Sequence, residues 1–372
     1  MKNHVPIIIP DVQYDEVEDD FRRILSTGIL TTGPYVAKFE EAVADRVGVD
    51  HAIATTSATT ALHLAFIVSE VGPGDEVLLS DFTHPATANA VLQTGATPVL
   101  VDAGADDFTM DLEHARTLMS ERTRVIVPVD LFGQPADHFA FEGLAAEVGA
   151  RLVVDAACSL GASRGGRECG AHGDLGCFSF HPRKVVTCGE GGMVTTSDSL
   201  LADRLRLLRN HGARRIGERT LGFIEPGFNY RLSEIPAALG LSQMRRIDQI
   251  LLDRRETASR YDEALASLAE VHVPESTPDT TWSYQSYVVT LNTEVDRDAV
   301  VTAMAGFGIE TTIGTYALHR QPAFSGWGYG PGDLPNSSRF ADHSLTLPVI
   351  PRMAASQVER VVGTLASVLE SL

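Results

Sequence analysis

Cysteine is scarce in this 372-residue chain: there are four, Cys158, Cys169, Cys177 and Cys188, and no two are spaced as CxxC. That spacing argues against a zinc site and for separate reduced thiols, so no metal is expected. Basic residues are also in deficit, with 30 Lys and Arg against 49 Asp and Glu and a formal net charge of −19. A surface of that sign repels polyphosphates and anionic bilayers, which excludes nonspecific nucleic-acid binding and membrane-surface adhesion. It leaves room for a small anionic substrate, which a few local arginines can hold. No apolar run approaches the roughly 18 residues of a membrane span. The apolar stretch Val5 to Ile9 is short, is broken by Pro6 and is followed by acids, which does not read as a signal peptide. A cytoplasmic location is therefore expected. Short-period repeats and low-complexity tracts are missing too.

What is present is an ordinary globular composition, 44% hydrophobic and 21% charged, long enough for two domains. Strand-like and helix-like patterns alternate through the first two-thirds. Strands are predicted at 51–56, 76–80, 97–102, 123–130 and 151–156, with helices at Thr59–Val71, 85–95, 111–120 and 138–149 between them. Continuous apolar strands separated by helices imply a mainly parallel sheet covered on both faces, an α/β architecture. A helix is expected over 198–210 and a long one from about Glu234 to Leu265, joining two units. The remainder reads as a smaller α+β domain, with strands at 286–291 and 344–349, a helix at 296–308 and a terminal helix. The expected division is 1–249 and 250–372. The loop from His319 to Asn336, rich in Gly, Pro and aromatics, reads equally as a lid, a subunit contact or a plain surface loop.

The chemistry concentrates in residues 150–196. An apolar strand ends in Asp155, the short strand GCFSF carries Ser179, and Lys184 follows between Pro182 and a glycine run. These are the parts needed to hold pyridoxal phosphate. The lysine forms a Schiff base, the acid keeps the pyridine nitrogen protonated and the hydroxyl meets the phosphate. Ser57, Ala58 and Thr59 fall at a strand-to-helix junction whose free N–H groups suit a phosphate, and they read equally as an everyday helix cap.

In order along the chain, TSATTALHLA, DFTHPATANA, VDLFGQPAD, VDAACSLGA, GCFSFHPRKVVTCGEGGMVTTSD, LRNHG, GFNYRLSEIPAALGLSQM and IGTYALHRQPAF resemble the DegT/StrS-type sugar aminotransferases. The resemblance runs from about Ile8 to the last helix. It implies pyridoxal-phosphate fold type I, a large domain with a mainly parallel seven-stranded sheet between helices and a smaller C-terminal α+β domain. Lys184 would carry the cofactor and move the proton, and Asp155 would pair with the ring nitrogen. Ser57, Ala58, Thr59 and Ser179 would cradle the phosphate, and His84 would lie against the ring. Asn229 would reach the phosphate of a neighbouring subunit, making a homodimer with shared active sites. Tyr35, His181, Arg183, Tyr230, Arg231, Tyr316 and His319 fall in blocks that lie near substrate.

Three departures stand out. Cys158 replaces the family's Gln or His near the cofactor's phenolic oxygen, and a thiol is a poor donor. Ala58 stands where glycine is common. Thr315-Tyr316 replaces a His-Tyr pair, which removes a usual contact to substrate phosphates. The expected activity is transfer of an amino group from an amino acid, L-glutamate first and glutamine second, to a keto sugar through pyridoxamine phosphate. A nucleotide-linked keto-deoxysugar is the leading acceptor. A keto-cyclitol or other small ketone is the alternative, and a non-catalytic cofactor-binding regulator is a more distant one.

Overall fold

A computed structural model describes residues 4–217, 220–330 and 332–372. Glu218, Arg219 and Pro331, each within a predicted loop, lie outside the described residues, as do the first three. Seven strands form the large sheet: β1 (His51–Thr55), β2 (Glu76–Ser80), β3 (Thr97–Val101), β4 (Thr123–Val127), β5 (Arg151–Asp155), β6 (Leu175–Ser179) and β7 (Gly192–Thr196). Their order is β1-β7-β6-β5-β4-β2-β3, and all neighbours are parallel except β7, which runs against both β1 and β6. The strands are nearly continuous runs of buried Val, Leu, Ile and Ala because both faces are covered. One face packs a core around Phe39, Phe141, Phe178 and Phe180. The other packs α3 (Ala58–Val68) and its neighbours around Leu62, Phe66 and Val91.

Two helices ahead of β1 were not predicted: α1 (Glu18–Thr27) and α2 (Pro34–Val47). Both end on a left-handed glycine, Gly28 and Gly48, as helix C-caps commonly do. The helix expected over 234–265 is two helices, α8 (Glu234–Met244) and α9 (Ile247–Leu265). Arg246 leaves helical geometry at φ −129°. Its guanidinium binds Asp11 and Glu16, each at 2.9 Å, and the chain bends there. The bend lets α9 leave the large core, which holds Ile247, Ile250 and Leu251, and enter a second core with Ala258, Tyr261 and Leu265.

That second core lies on a four-stranded sheet of β8 (Val271–His272), β9 (Tyr287–Leu291), β10 (Thr312–Ile313) and β11 (Ser344–Leu347), in the order β8-β9-β11-β10 and antiparallel throughout. The terminal helix, Ala355–Ser371, covers it through Val361 and Leu365. Val5 belongs to this core as well, paired with Ile309, so the first described residues sit with the smaller sheet.

Candidate active site

The sheet order brings the predicted residues to one edge. β1, β6 and β5 run the same way, so Thr55, Ser179 and Asp155 all fall at carboxyl ends, where sites form in parallel sheets. Thr55 pairs with Gly192, and Gly192 pairs with Ser179. A Cβ on Gly192 would stand 2.2 Å from the Ser57 carbonyl and 2.7 Å from the Ala58 nitrogen, so only glycine lets the N-terminus of α3 approach that closely. The helix-cap reading of the Ser57 segment is observed directly. Ser57 caps α3 by accepting from the Thr60 N–H at 3.2 Å, and Thr60 returns the bond at 3.0 Å. The Ala58 and Thr59 N–H groups take no protein acceptor among the described residues, so with the helix dipole they suit an anion.

Asp155 is buried at the end of β5. Its carboxylate accepts from Thr87 Oγ at 2.7 Å and from the Ala157 N–H at 3.2 Å. Burial raises its pKa, and these two bonds, Lys184 and His84 pull against that rise. An acid held this way gains from a cation opposite it. Lys184 lies in a turn closed by its own N–H donating to the His181 carbonyl at 2.9 Å, and its Nζ reaches Cys158 Sγ at 3.0 Å. The His84 residue is exposed overall, and its pKa is lowered by desolvation, then by Lys184 and His181 nearby. Its Nδ1 accepts from the Ala86 N–H at 3.2 Å. Tyr316 pairs with Thr83 in a two-residue ladder, which sets it beside His84. His181 Nδ1 accepts from the Arg183 N–H, and Arg183 itself is exposed. Lysine, acid and free helix-start N–H groups therefore share one edge with His84 close to the lysine, and this set fits pyridoxal phosphate.

Four of the expected substrate residues are committed elsewhere in the chain. The Tyr35 hydroxyl donates to Asp20 at 2.8 Å from a buried position on α2. His319 is buried with both ring nitrogens engaged, Nδ1 with Asp81 at 2.7 Å and Nε2 with Ser338 at 3.2 Å. The Tyr230 hydroxyl meets His63 on α3 at 3.1 Å, and its ring stacks on Phe228. Arg231 donates to the Asn210 side chain at 2.8 Å. In each case a contact more than 10 positions away in the chain uses the polar group, and no local pattern signals it. Asn229, between Phe228 and Tyr230, is exposed.

Sequence reasoning also missed what holds the Asp155 turn. Thr87 was unremarked inside PATANAV. Asp130 is buried, accepts from Ser159 Oγ at 2.8 Å and pairs with His138 at 2.6 Å, and its N–H donates to the Asp155 carbonyl at 3.0 Å. Cys169 lies within 4.8 Å of both Asp130 and His138. The His138 ring stacks on His172 at 4.3 Å.

His172 accepts from Arg167 through Nδ1, so it is neutral, and burial, then His138 and Arg167, holds its pKa down at about 4. An unfolded chain takes up that proton near 6.5. Stability from the neutral ring is therefore complete above pH 6.5 and is lost as pH falls through about 4. Urea unfolding at about pH 7.5 and about pH 4.5 should show His172→Phe losing up to about 3 kcal/mol less on acidification than the parent.

Residues 12–366 match the model of the DegT/DnrJ/EryC1/StrS aminotransferase family. GDP-perosamine synthase of Caulobacter vibrioides is 36% identical over 348 residues, 92% of each chain. DesV of S. venezuelae, solved with a ketimine intermediate, superposes at a TM-score of 0.92 with 34% identity over 98% of both chains. The PLP form of Spr1654 of Streptococcus pneumoniae superposes at 0.94 with 27% identity over 99% of both.

Proposed function

The chain belongs to the DegT/DnrJ/EryC1/StrS aminotransferase family and uses pyridoxal phosphate, and from that premise we propose that it moves an amino group from an amino acid to a keto sugar. The observation that carries this is Lys184 and Asp155 at one sheet edge beside the open N-terminus of α3. When bound, the cofactor supplies the electron sink that lets an amino group leave one carbon and join another. Lys184 Nζ would hold the cofactor and, when its amine is free, would accept and return a proton. Asp155 would hold the cofactor's protonated ring nitrogen, and Thr87 fixes the carboxylate that would do so. The Ala58 and Thr59 N–H groups, with the Ser57 and Ser179 hydroxyls, bind the phosphate. His84 would lie against the cofactor ring and exclude water from that face.

The acceptor we favour is a nucleotide-linked keto-deoxysugar, with L-glutamate as donor. The name of the Caulobacter relative supports a nucleotide sugar. A homodimer with shared sites belongs to the same reading. The hairpin of Ala213–Arg215 and Leu221–Phe223, with its flanks, exposes Ile216, Leu221, Phe223 and Ile224, an apolar surface that a second subunit would cover. Asn229, exposed a few residues farther on, would then reach the partner's phosphate. The cofactor unit is assigned to residues 1–249 and the smaller unit to 250–372, except that the first described residues, around Val5, pack with the smaller unit, and the cytoplasm is the proposed location. No described helix is long and apolar enough to cross a membrane.

The test is a pair of half-reactions. Glutamate should convert the enzyme to its amine form, followed by absorbance, and a keto nucleotide sugar should return it to the aldehyde form. Return by a free keto-cyclitol and not by any nucleotide sugar would overturn the acceptor; no conversion by glutamate would overturn the donor.

A further inference from the structure

Cys158 is the one cysteine of the four that is not fully buried, and its Sγ lies 3.0 Å from Lys184 Nζ. Burial pushes the other three thiols up, Cys188 to about 12, which leaves them protonated and inert. Both partners of the contact are held by backbone. The Cys158 carbonyl accepts from Ser283 Oγ at 3.0 Å, and the Lys184 N–H donates to the His181 carbonyl at 2.9 Å. Sulfur and nitrogen therefore meet without movement of either segment.

We propose that Lys184 and Cys158 are a redox modification site, joined by peroxide through a reversible N–S bond that forms only while the lysine amine is free. This rests on the reading of Lys184 as the cofactor-bearing residue. A peroxide first oxidises the Cys158 thiol to the sulfenic acid: the O–O bond breaks, sulfur gives up two electrons and one water leaves. The Lys184 amine then attacks that sulfur. An N–S bond forms, the S–O bond breaks, and the departing hydroxide takes a proton from nitrogen as a second water. Two equivalents of a thiol reductant restore the thiol and the amine and leave as a disulfide.

The gate is the state of Lys184. In the aldehyde form its nitrogen is tied to the cofactor and cannot reach sulfur. After the donor has delivered its amino group, the nitrogen is free beside Cys158. Enzyme starved of its ketone acceptor is then the sensitive form, and the cross-link removes the one amine needed for the next cycle.

Holoenzyme divided into aldehyde and amine forms, exposed to hydrogen peroxide and digested with trypsin, tests this. The amine form should yield the Cys158 and Lys184 peptides as one species, two hydrogens lighter than their sum. It should also lose nearly all turnover and regain it with dithiothreitol. The aldehyde form should show neither change. Cys158→Ser should give no cross-link, and its own turnover, whatever the level, should not fall under the same peroxide. Equal cross-linking in both forms, oxidation of Cys158 with no cross-link, or unchanged sensitivity of Cys158→Ser overturns the proposal. Borohydride tagging of unoxidised enzyme separates the two readings. A tag at Lys184 with no cross-link sinks this inference alone, and a tag elsewhere sinks the role of Lys184.

Discussion

Lys184→Ala should fold as the parent does and lose at least about a thousandfold in turnover, because one change removes both the covalent attachment and the proton carrier. The side chain's bond within the protein is the contact to Cys158, and its residue is only partly buried, so the thermal midpoint should stay close to the parent's. Borohydride treatment followed by digestion should tag position 184 in the parent and nothing in the variant. Lys184→Arg is the sharper control. It keeps the positive charge opposite Asp155 but has no amine that can condense with an aldehyde. A loss as large as that of the alanine variant assigns the effect to the nitrogen's chemistry. Multiple turnover in either variant would refute the role of Lys184.

The second large effect is at Asp155. Asp155→Asn keeps the shape: its Oδ1 can still accept from the Ala157 N–H while its amide NH2 donates to the Thr87 hydroxyl oxygen, so the turn should hold. What disappears is the negative charge in a buried place, where it is worth most to a cation opposite it. Turnover should fall by about a hundred- to a thousandfold, with weaker cofactor retention on dialysis. The pH dependence gives an independent reading. Burial raises the Asp155 pKa in the cofactor-free site, so uptake of cofactor by the parent apoenzyme should weaken as acidification protonates this carboxyl, at a pH above that of an ordinary aspartate. Asp155→Asn has no such proton to take up, and its weaker cofactor uptake should be flat across the same range. A parent-like acid limb in the variant would assign that titration to another group.

Much of the fold was legible because its signals are local. Each predicted strand of the large sheet through Asp155 is present, with ends that differ by a residue or a few. Apolar runs bounded by polar turns specify a doubly covered strand without reference to the rest of the chain. The break at Arg246 was not legible. α8 and α9 share one helical pattern, and the bend depends on Asp11 and Glu16, more than two hundred residues earlier. α1 and α2 went unread although Pro34 opens α2 and glycines close both helices.

The candidate site divides in the same way. Lys184, Asp155, Ser179 and the Ser57 segment, which the fold brings to one edge, could be singled out because each lies at a strand end or in the turn after one, within a short recognisable block. Tyr35, Tyr230, Arg231 and His319 fall in similar blocks, yet their polar groups bind Asp20, His63, Asn210 and Asp81. A residue's type and neighbours do not reveal which distant partner takes its hydrogen bond.

From its residues alone the chain determines an acidic α/β protein with a lysine, a strand-end acid and a phosphate-ready helix start, since these depend on composition, period and short-range sequence. Tertiary structure decides which of these meet. The order β1-β7-β6-β5 puts Ser57, Ser179, Lys184 and Asp155 on one edge, brings Thr87 to Asp155 and sets Cys158 against Lys184. Strand pairing joins segments far apart in sequence, and only the packed sheet fixes which ends lie side by side.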